Sequence, residues 1–500
     1  MRFDELFQRA RAHGETRLSG KGISGAEVER TVPAFLDDVA ALAQRLLSSG
    51  AVAGMQIALQ SSNCYEYLVW DLAAIKLGLI IHAVPEDLPQ GKLEEIARKQ
   101  SIALWVYENE ANVTSFENMA PLSGTQDASP LPVATDATPL DDPDLLTRVY
   151  SSGTSGYLKG LNISRHGTEL LVSDFIEAFH LDTHDSHLIF LPLSNYQQRM
   201  SVYACLWSGS SFRVVRYPTL FQELGRYAPT FIIAPPAIYE NVHNAFGRGA
   251  GARDKLRGVL GGNIRFMITG MAPIRKDVQQ AFNDEGFPLL EAYGVTETGM
   301  IAWNTPKLHR IGAVGQLIHA DHVDFSDEAE IVIRRPHPLS KGYFESAGSD
   351  GSNTFLADGR IATGDIGSVD ADGFLTLRGR KKEIIVTSGG AKFHPEEVER
   401  ALASSVPASH AIVLASRRDG RIVAVLVTEA DADEALLERI DAGIRLANAT
   451  LPGYMGVAHR VVTQTPPSIE NGMLTRNLKY DRNGVYRHFQ AGIEMQEEVC

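Results

Sequence analysis

Short apolar runs recurring between helical stretches constrain the fold of this chain more than any other feature. MQIALQ (55–60), LIIHAV (79–84), LLTRVY (145–150), LIFLPL (188–193), FRVV (212–215), TFIIAPP (230–236) and RFMITG (265–270) are each short enough to be a buried strand. Strands of that kind belong to sheets covered on both faces by helices, which is the habit of parallel sheets. Between them, FLDDVAALAQRLLSSG (35–50) carries a helical period and stops at Gly50, and WDLAAIKLG (70–78) precedes the next run in the same way. The most apolar region, Tyr67 to Val84, is interrupted by Asp71, Lys76 and His82, so it reads as a buried helix entering a strand and not as a membrane span. The fold class read from this alternation is α/β.

Five hundred residues exceed one ordinary core. After Gly373 the pattern changes to a short β segment, a charged turn at RGRKKE (378–383), then strands and helices with an Arg-rich surface. The expected division is a large domain over 1–379, built of βα-type subdomains with parallel sheets, and a small mobile α+β domain over 380–500. The Pro-, Asp- and Ser-rich stretch 112–144 reads as a surface connection. A formal charge of −14 offers nucleic acid or anionic lipid no general attraction, so any anionic ligand needs a local site. Three scattered cysteines without metal-ligand spacing, and a charged start without an apolar signal core, point to a reducing, cytoplasmic setting with neither disulfides nor zinc.

One such site is YSSGTSGYLKG (150–160), a run of glycines and short hydroxyls that lets backbone N–H groups approach a polyanion, followed by Lys159. It is not the common P-loop, because Leu158 and Gly160 stand where that pattern needs glycine and a hydroxyl. The loop resembles the phosphate-binding motif of the adenylate-forming superfamily, the acyl-CoA synthetases, adenylation domains and luciferases. FLPLSNYQQRM (190–200), APTFIIAPPAIYE (228–240), FMITGMAPI (266–274), EAYGVTETG (291–299), ATGDIG (362–367), GRKKEIIVTSGGAKFHPEEVE (379–399) and NGMLTRNLKYDR (471–482) are similar to further motifs of that family, in its order, and most like its long-chain fatty acyl-CoA synthetases.

The resemblance implies an ATP-dependent carboxylate ligase that forms acyl-AMP and then a thioester on coenzyme A or on a carrier-protein phosphopantetheine, with a fatty acid as the expected acid. An aryl or modified acid loaded onto a carrier protein, or an acyl-adenylate binder without turnover, are its alternatives. Ser151, Ser152, Gly153, Thr154, Ser155, Gly156 and Lys159 would hold the β and γ phosphates. Gly270, Met271, Ala272 and Pro273 would wall the adenine opposite Ala292, Tyr293 and Gly294, with Tyr293 stacking on the base. Glu297 would ligate Mg2+, which favours oxygen donors, and Thr296 would donate to the α-phosphate. Asp365, with two acceptor oxygens and no donor, would bind the ribose hydroxyls with Arg380. Lys382 would be the hinge, Gly389 and Gly390 would flank the pantetheine tunnel, and Asn195, Gly270 and Val295 would border the acyl group. Read alone, each has a plainer role as turn, core or solvated surface.

Two alignments compete for the mobile catalytic lysine. The long-chain form places it at Lys479 with Arg482 after it, whereas the shorter G-K-[IL]-x-R form places it at Met473, leaving no cation. The chain departs from the family at Leu158 (proline), Asn195 (histidine), Gln198 (glutamate) and Arg476 (proline), which bears on the substrate more than on the fold.

Overall fold

The computed structural model describes residues 1–109, 118–126, 129–152, 158–247, 249, 251–345, 353–386, 391–429, 431–468, 470–474 and 480–494. Each apolar run read from the sequence forms or enters a strand. Gln56–Gln60, Ile80–Val84, Ile102–Tyr107 and Leu145–Ser152 lie parallel at the centre of a seven-stranded sheet. Leu158–Ser164 and Ser340–Glu345 extend it antiparallel at one edge. A nine-stranded sheet holds Ser211–Val214, Ser186–Ile189, Phe231–Ala234, Phe266–Thr269 and Leu289–Val295 in parallel, then turns antiparallel into Gly299–Trp303. All five residues of Gln56–Gln60 and of Ile80–Val84 are buried, as strands covered on both faces must be. Helix Tyr65–Leu77 ends on Gly78 in the left-handed conformation that glycine tolerates.

Two features differ from the sequence reading. Within 112–144, Met119–Pro121 adds an edge strand beside Ile102–Tyr107, and Leu122 and Leu131 are buried, so part of this polar stretch is a structural cover. Its scattered apolar residues carry no period that would have revealed this. The N-terminal hairpin Arg17–Lys21 and Glu27–Thr31 completes the nine-stranded sheet by pairing with Ser211–Val214, although its polar strands carry little hydrophobic signal.

A four-stranded sheet (Val323–Phe325, Glu330–Ile333, Ile361–Val369, Leu375–Arg380) follows. Beyond it a separate core gathers Ile385, Phe393, Val398, Val413, Leu426 and Ile444 around the strands His410–Ala415, Ile422–Val427 and His459–Thr463. The protein is thus mixed α/β, with a large N-terminal part and a smaller C-terminal one. Among the described residues no helix is long and apolar enough to cross a membrane.

Candidate active site

Open α/β sheets bind ligands outside the carboxyl ends of their parallel strands, where the connecting loops diverge. Here the carboxyl ends of both large sheets face one cleft of about 2890 Å³. Asn63, Pro85, Leu191, Arg216, Pro235 and Gly270, each just past a strand, line it, as do Arg380, Glu396 and Tyr480 from the C-terminal side.

The predicted adenine wall is built by two adjacent strand ends. Gly270 follows Phe266–Thr269 so closely against the neighbouring strand that a Cβ on it would lie 2.9 Å from the Ala292 carbonyl oxygen. Met271 takes φ 73°, an unusual conformation for a non-glycine residue, and Ala272 and Pro273 continue along the cleft. Opposite, Ala292, Tyr293, Gly294 and Val295 end the strand Leu289–Val295, whose register shifts between Tyr293 and Gly294. Gly294 has no room for a side chain, since a Cβ would meet the Gly299 carbonyl at 2.4 Å. The bend presents Thr296 and Glu297 to the cleft.

Asp365 lies on Ile361–Val369, paired in register with Arg380. Its Oδ2 accepts the Tyr293 hydroxyl proton at 2.8 Å, and its Oδ1 lies 3.1 Å from Arg380 Nε. Burial, reinforced by the Asp365 charge, pushes the Tyr293 phenol well above its ordinary range, so it stays a donor. One carboxylate therefore joins the strand Leu289–Val295 to the border between the two parts of the chain.

Ser151 and Ser152 close the strand Leu145–Ser152, and Lys159 stands directly across from Ser151 on the returning strand. Gly153, Thr154, Ser155 and Gly156 lie outside the described residues, as do Gly389, Gly390 and Lys479. Lys159 Nζ sits 5.4 Å from the centre of the Tyr343 ring, and the Tyr343 hydroxyl donates to Glu297 Oε1 at 2.6 Å. Tyr343 thus links the stem of the predicted phosphate loop to the predicted metal ligand. Nothing local in the sequence announces it, because the contact spans 46 positions.

Asn195 lines the cleft as the N-cap of helix Tyr196–Ser208, its Oδ1 accepting the Gln197 N–H at 3.3 Å. Lys382 lies in the turn Lys381–Glu383 at the cleft wall. Met473 is fully buried among Ile412, Val423 and Val485. Glu291, two residues before Tyr293, was not singled out by sequence. Burial raises its carboxyl to about 7.

The AMP-binding enzyme family matches residues 8–344, and the AMP-binding enzyme C-terminal domain matches residues 382–497. Among curated relatives, a protein of Mycobacterium bovis named long-chain-fatty-acid–CoA ligase FadD15 is 24% identical over 579 aligned positions, covering 98% of this chain and 96% of that protein. Among solved structures, the anthranilate CoA ligase AuaEII in complex with anthranoyl-AMP superposes with a TM-score of 0.81 at 16% identity, covering 99% of this chain and 98% of that one. The O-succinylbenzoate coenzyme A synthetase of Bacillus subtilis, in complex with ATP and magnesium ion, gives 0.75 at 20%, with 96% and 98% covered. These likenesses establish the fold.

Proposed function

The chain belongs to the AMP-binding enzyme family, the adenylate-forming acid–CoA ligases, and on that premise we propose that it activates an apolar carboxylic acid of the fatty-acid type and passes the acyl group to the thiol of coenzyme A. In the first step a carboxylate oxygen attacks the α-phosphorus of ATP and the bond to pyrophosphate breaks. In the second the thiolate attacks the acyl carbon and AMP leaves. One observation carries this reading: Gly270 to Pro273, Tyr293 to Glu297, Asp365, Arg380 and Asn195 all line a single cleft at the carboxyl ends of both sheets.

Each residue has work suited to its chemistry. Asp365 would accept from the ribose hydroxyls, and Arg380 would hold it in place while adding a second contact. Thr296 would donate to the α-phosphate, and Lys159 would neutralise charge on the outgoing phosphates, where preorganised donors count most. Ser151 to Gly156 would cradle the β and γ phosphates. Asp365, Arg380 and Lys159 stand on paired strands, which would limit the reorganisation needed at the moment of reaction.

Magnesium fits Glu297. Among the described residues no group of three or more His, Cys, Asp or Glu side chains could hold a metal alone, and Glu297, next to Thr296 on the cleft lining, would contribute one carboxylate. That is the donor set of an ion taking its other oxygens from phosphates and water. When bound, it would screen the triphosphate charge.

The proposed pivot between 1–379 and 380–500 is Lys382, where rotation would exchange Lys479 for Gly389 and Gly390 at the reacting centre. The test is exchange of labelled pyrophosphate into ATP with magnesium and a panel of fatty, aryl and amino acids. Acid-dependent exchange, followed by thioester formation with coenzyme A, is expected. Acid-independent exchange, or none with any acid, would overturn the proposal, and transfer to a carrier protein but not to coenzyme A would overturn the acceptor.

A further inference from the structure

We infer that Trp303, backed by Phe175, stops the acyl recess, so that this chain takes a compact apolar acid, a short to medium alkyl or single-ring aryl carboxylate, in preference to a long-chain one. The inference rests on the ligase reading above and names the substrate class within it.

Beside the proposed adenine strand, the lining of the cleft includes Val172, Phe175, Met200, Ile268, Met300 and Trp303, the apolar group we assign to the acyl recess. Trp303 sits directly across from Ala292 in the antiparallel pair, and Met300 sits across from Gly294. The indole is only 8% exposed, and it lines the cleft. Its ring centre lies 6.2 Å from that of Phe175 and, edge-on, 5.6 Å from that of Phe179. Behind them, Phe179 packs on Phe266 at 4.8 Å, and Phe266 stacks on Phe231 at 5.1 Å. The space beyond Trp303 is thus a solid aromatic core through which no chain can thread, because interiors pack at crystal-like density.

Distance along the strand makes the consequence quantitative. Trp303 is level with Ala292, two residues from Gly294 and four from Thr296. At ~3.3 Å per residue, the backbone from Ala292 to Gly294 or Thr296 spans roughly 7 to 13 Å, the depth we assign to the space between the reacting end and the indole. An extended palmitoyl chain measures roughly 19 Å from ordinary bond geometry. It would have to coil back or displace the indole, whereas a hexanoyl chain or a benzoyl ring would fill the recess.

The experiment measures kcat/KM for thioester formation with acetate, hexanoate, decanoate, palmitate and benzoate, in the native chain and in Trp303→Phe, Trp303→Ala and Phe175→Ala. Hexanoate, decanoate or benzoate should exceed palmitate by roughly tenfold or more, the scale on which a hydrophobic pocket discriminates, and benzoate against hexanoate separates the aryl from the alkyl acid. Trp303→Ala should raise the palmitate-to-hexanoate ratio by roughly tenfold while KM for ATP stays put, and Trp303→Phe should retain the native order. Because the alanine variants could misfold, binding of hexanoyl and palmitoyl sulfamoyl-adenosines to the native chain is measured beside them, with the hexanoyl compound expected to bind more tightly. A native preference for palmitate, or a ratio unmoved in a folded Trp303→Ala, overturns the inference and leaves the ligase reading intact. Loss of turnover with every acid overturns that reading, and this one with it.

Discussion

Asp365 serves two neighbours before any ligand is considered, the Tyr293 hydroxyl and the Arg380 guanidinium. Removing the carboxylate therefore has two separable effects. Asp365→Ala should raise KM for ATP by roughly ten- to a hundredfold with a smaller change in kcat, the signature of lost uniform binding. It should also lower stability by about 1–3 kcal/mol, because the buried Tyr293 hydroxyl loses its acceptor. Exchange kinetics read the first effect and urea denaturation the second; an unchanged KM would remove Asp365 from the nucleotide site. Glu291 makes a pH prediction. Burial raises its carboxyl from 4.5 to about 7, so between those values the folded chain keeps a proton that the unfolded chain has released. Stability must then fall as pH climbs through that window, by a total approaching ~3 kcal/mol at about 1.4 kcal/mol per unit. Glu291→Gln, which cannot ionise, should gain by that much relative to the native chain between pH 5 and pH 8, as read from urea midpoints at both. Of these groups, Asp365 was legible because T-G-D is a local string, and Glu291 was not, because its burial depends on the whole cleft around it.

The short elements of the C-terminal part are held by a charge cluster centred on Arg482, at the start of helix Arg482–Ile493. Its Nε lies 3.1 Å from Glu383, beside the proposed hinge residue Lys382, and its Nη2 lies 3.2 Å from Glu396 and 3.1 Å from Glu399 on helix Pro395–Ala403. Nη1 also pairs with Glu399. One guanidinium thus ties the helix Arg482–Ile493 to the helix Pro395–Ala403 and to the turn Lys381–Glu383, and the Glu399 charge holds its proton firmly despite burial. Removing one partner of a buried ionic cluster leaves like charges uncompensated, so Arg482→Ala should destabilise this part by about 3–5 kcal/mol. Hydrogen exchange across 395–427 and 482–493 should accelerate, with residues 56–107 unaffected; equal protection in both regions would show the cluster to be dispensable. At this scale sequence reading succeeded where a run was short, apolar and buried on both faces. It failed for Arg17–Lys21, a polar strand paired on both sides, and for the edge strands Glu27–Thr31 and Met119–Pro121, whose pairing is set by the sheet they join and not by their own pattern.

At the scale of the whole molecule, the two parallel sheets aim their carboxyl ends at one space, and the C-terminal part supplies its remaining wall. The motif order in the sequence made this architecture legible, since strings hundreds of residues apart share a purpose only if the fold gathers them. What it left open was which residue of the last motif carries the catalytic cation. Met473 is fully buried against Ile412, Val423 and Val485, so a lysine there would be an unpaired charge in an apolar core. The long-chain alignment, which assigns the role to Lys479, escapes that difficulty. Tyr480, which follows Lys479, lines the cleft and shares a 2.7 Å hydrogen bond with His410, anchoring the segment's end to the strand His410–Ala415. Charge develops on the α-phosphate in the adenylation step, and a lysine acting there stabilises that transition state and no later one. Lys479→Ala should accordingly slow pyrophosphate exchange by roughly 10² to 10³ while thioester formation from supplied acyl-AMP proceeds near the native rate. Met473→Leu, a volume-conserving change in the core, should leave both rates and the melting temperature nearly intact. The reverse pattern, exchange lost in a folded Met473→Leu and kept in Lys479→Ala, would move the catalytic position to the shorter alignment and leave this branch without its cation.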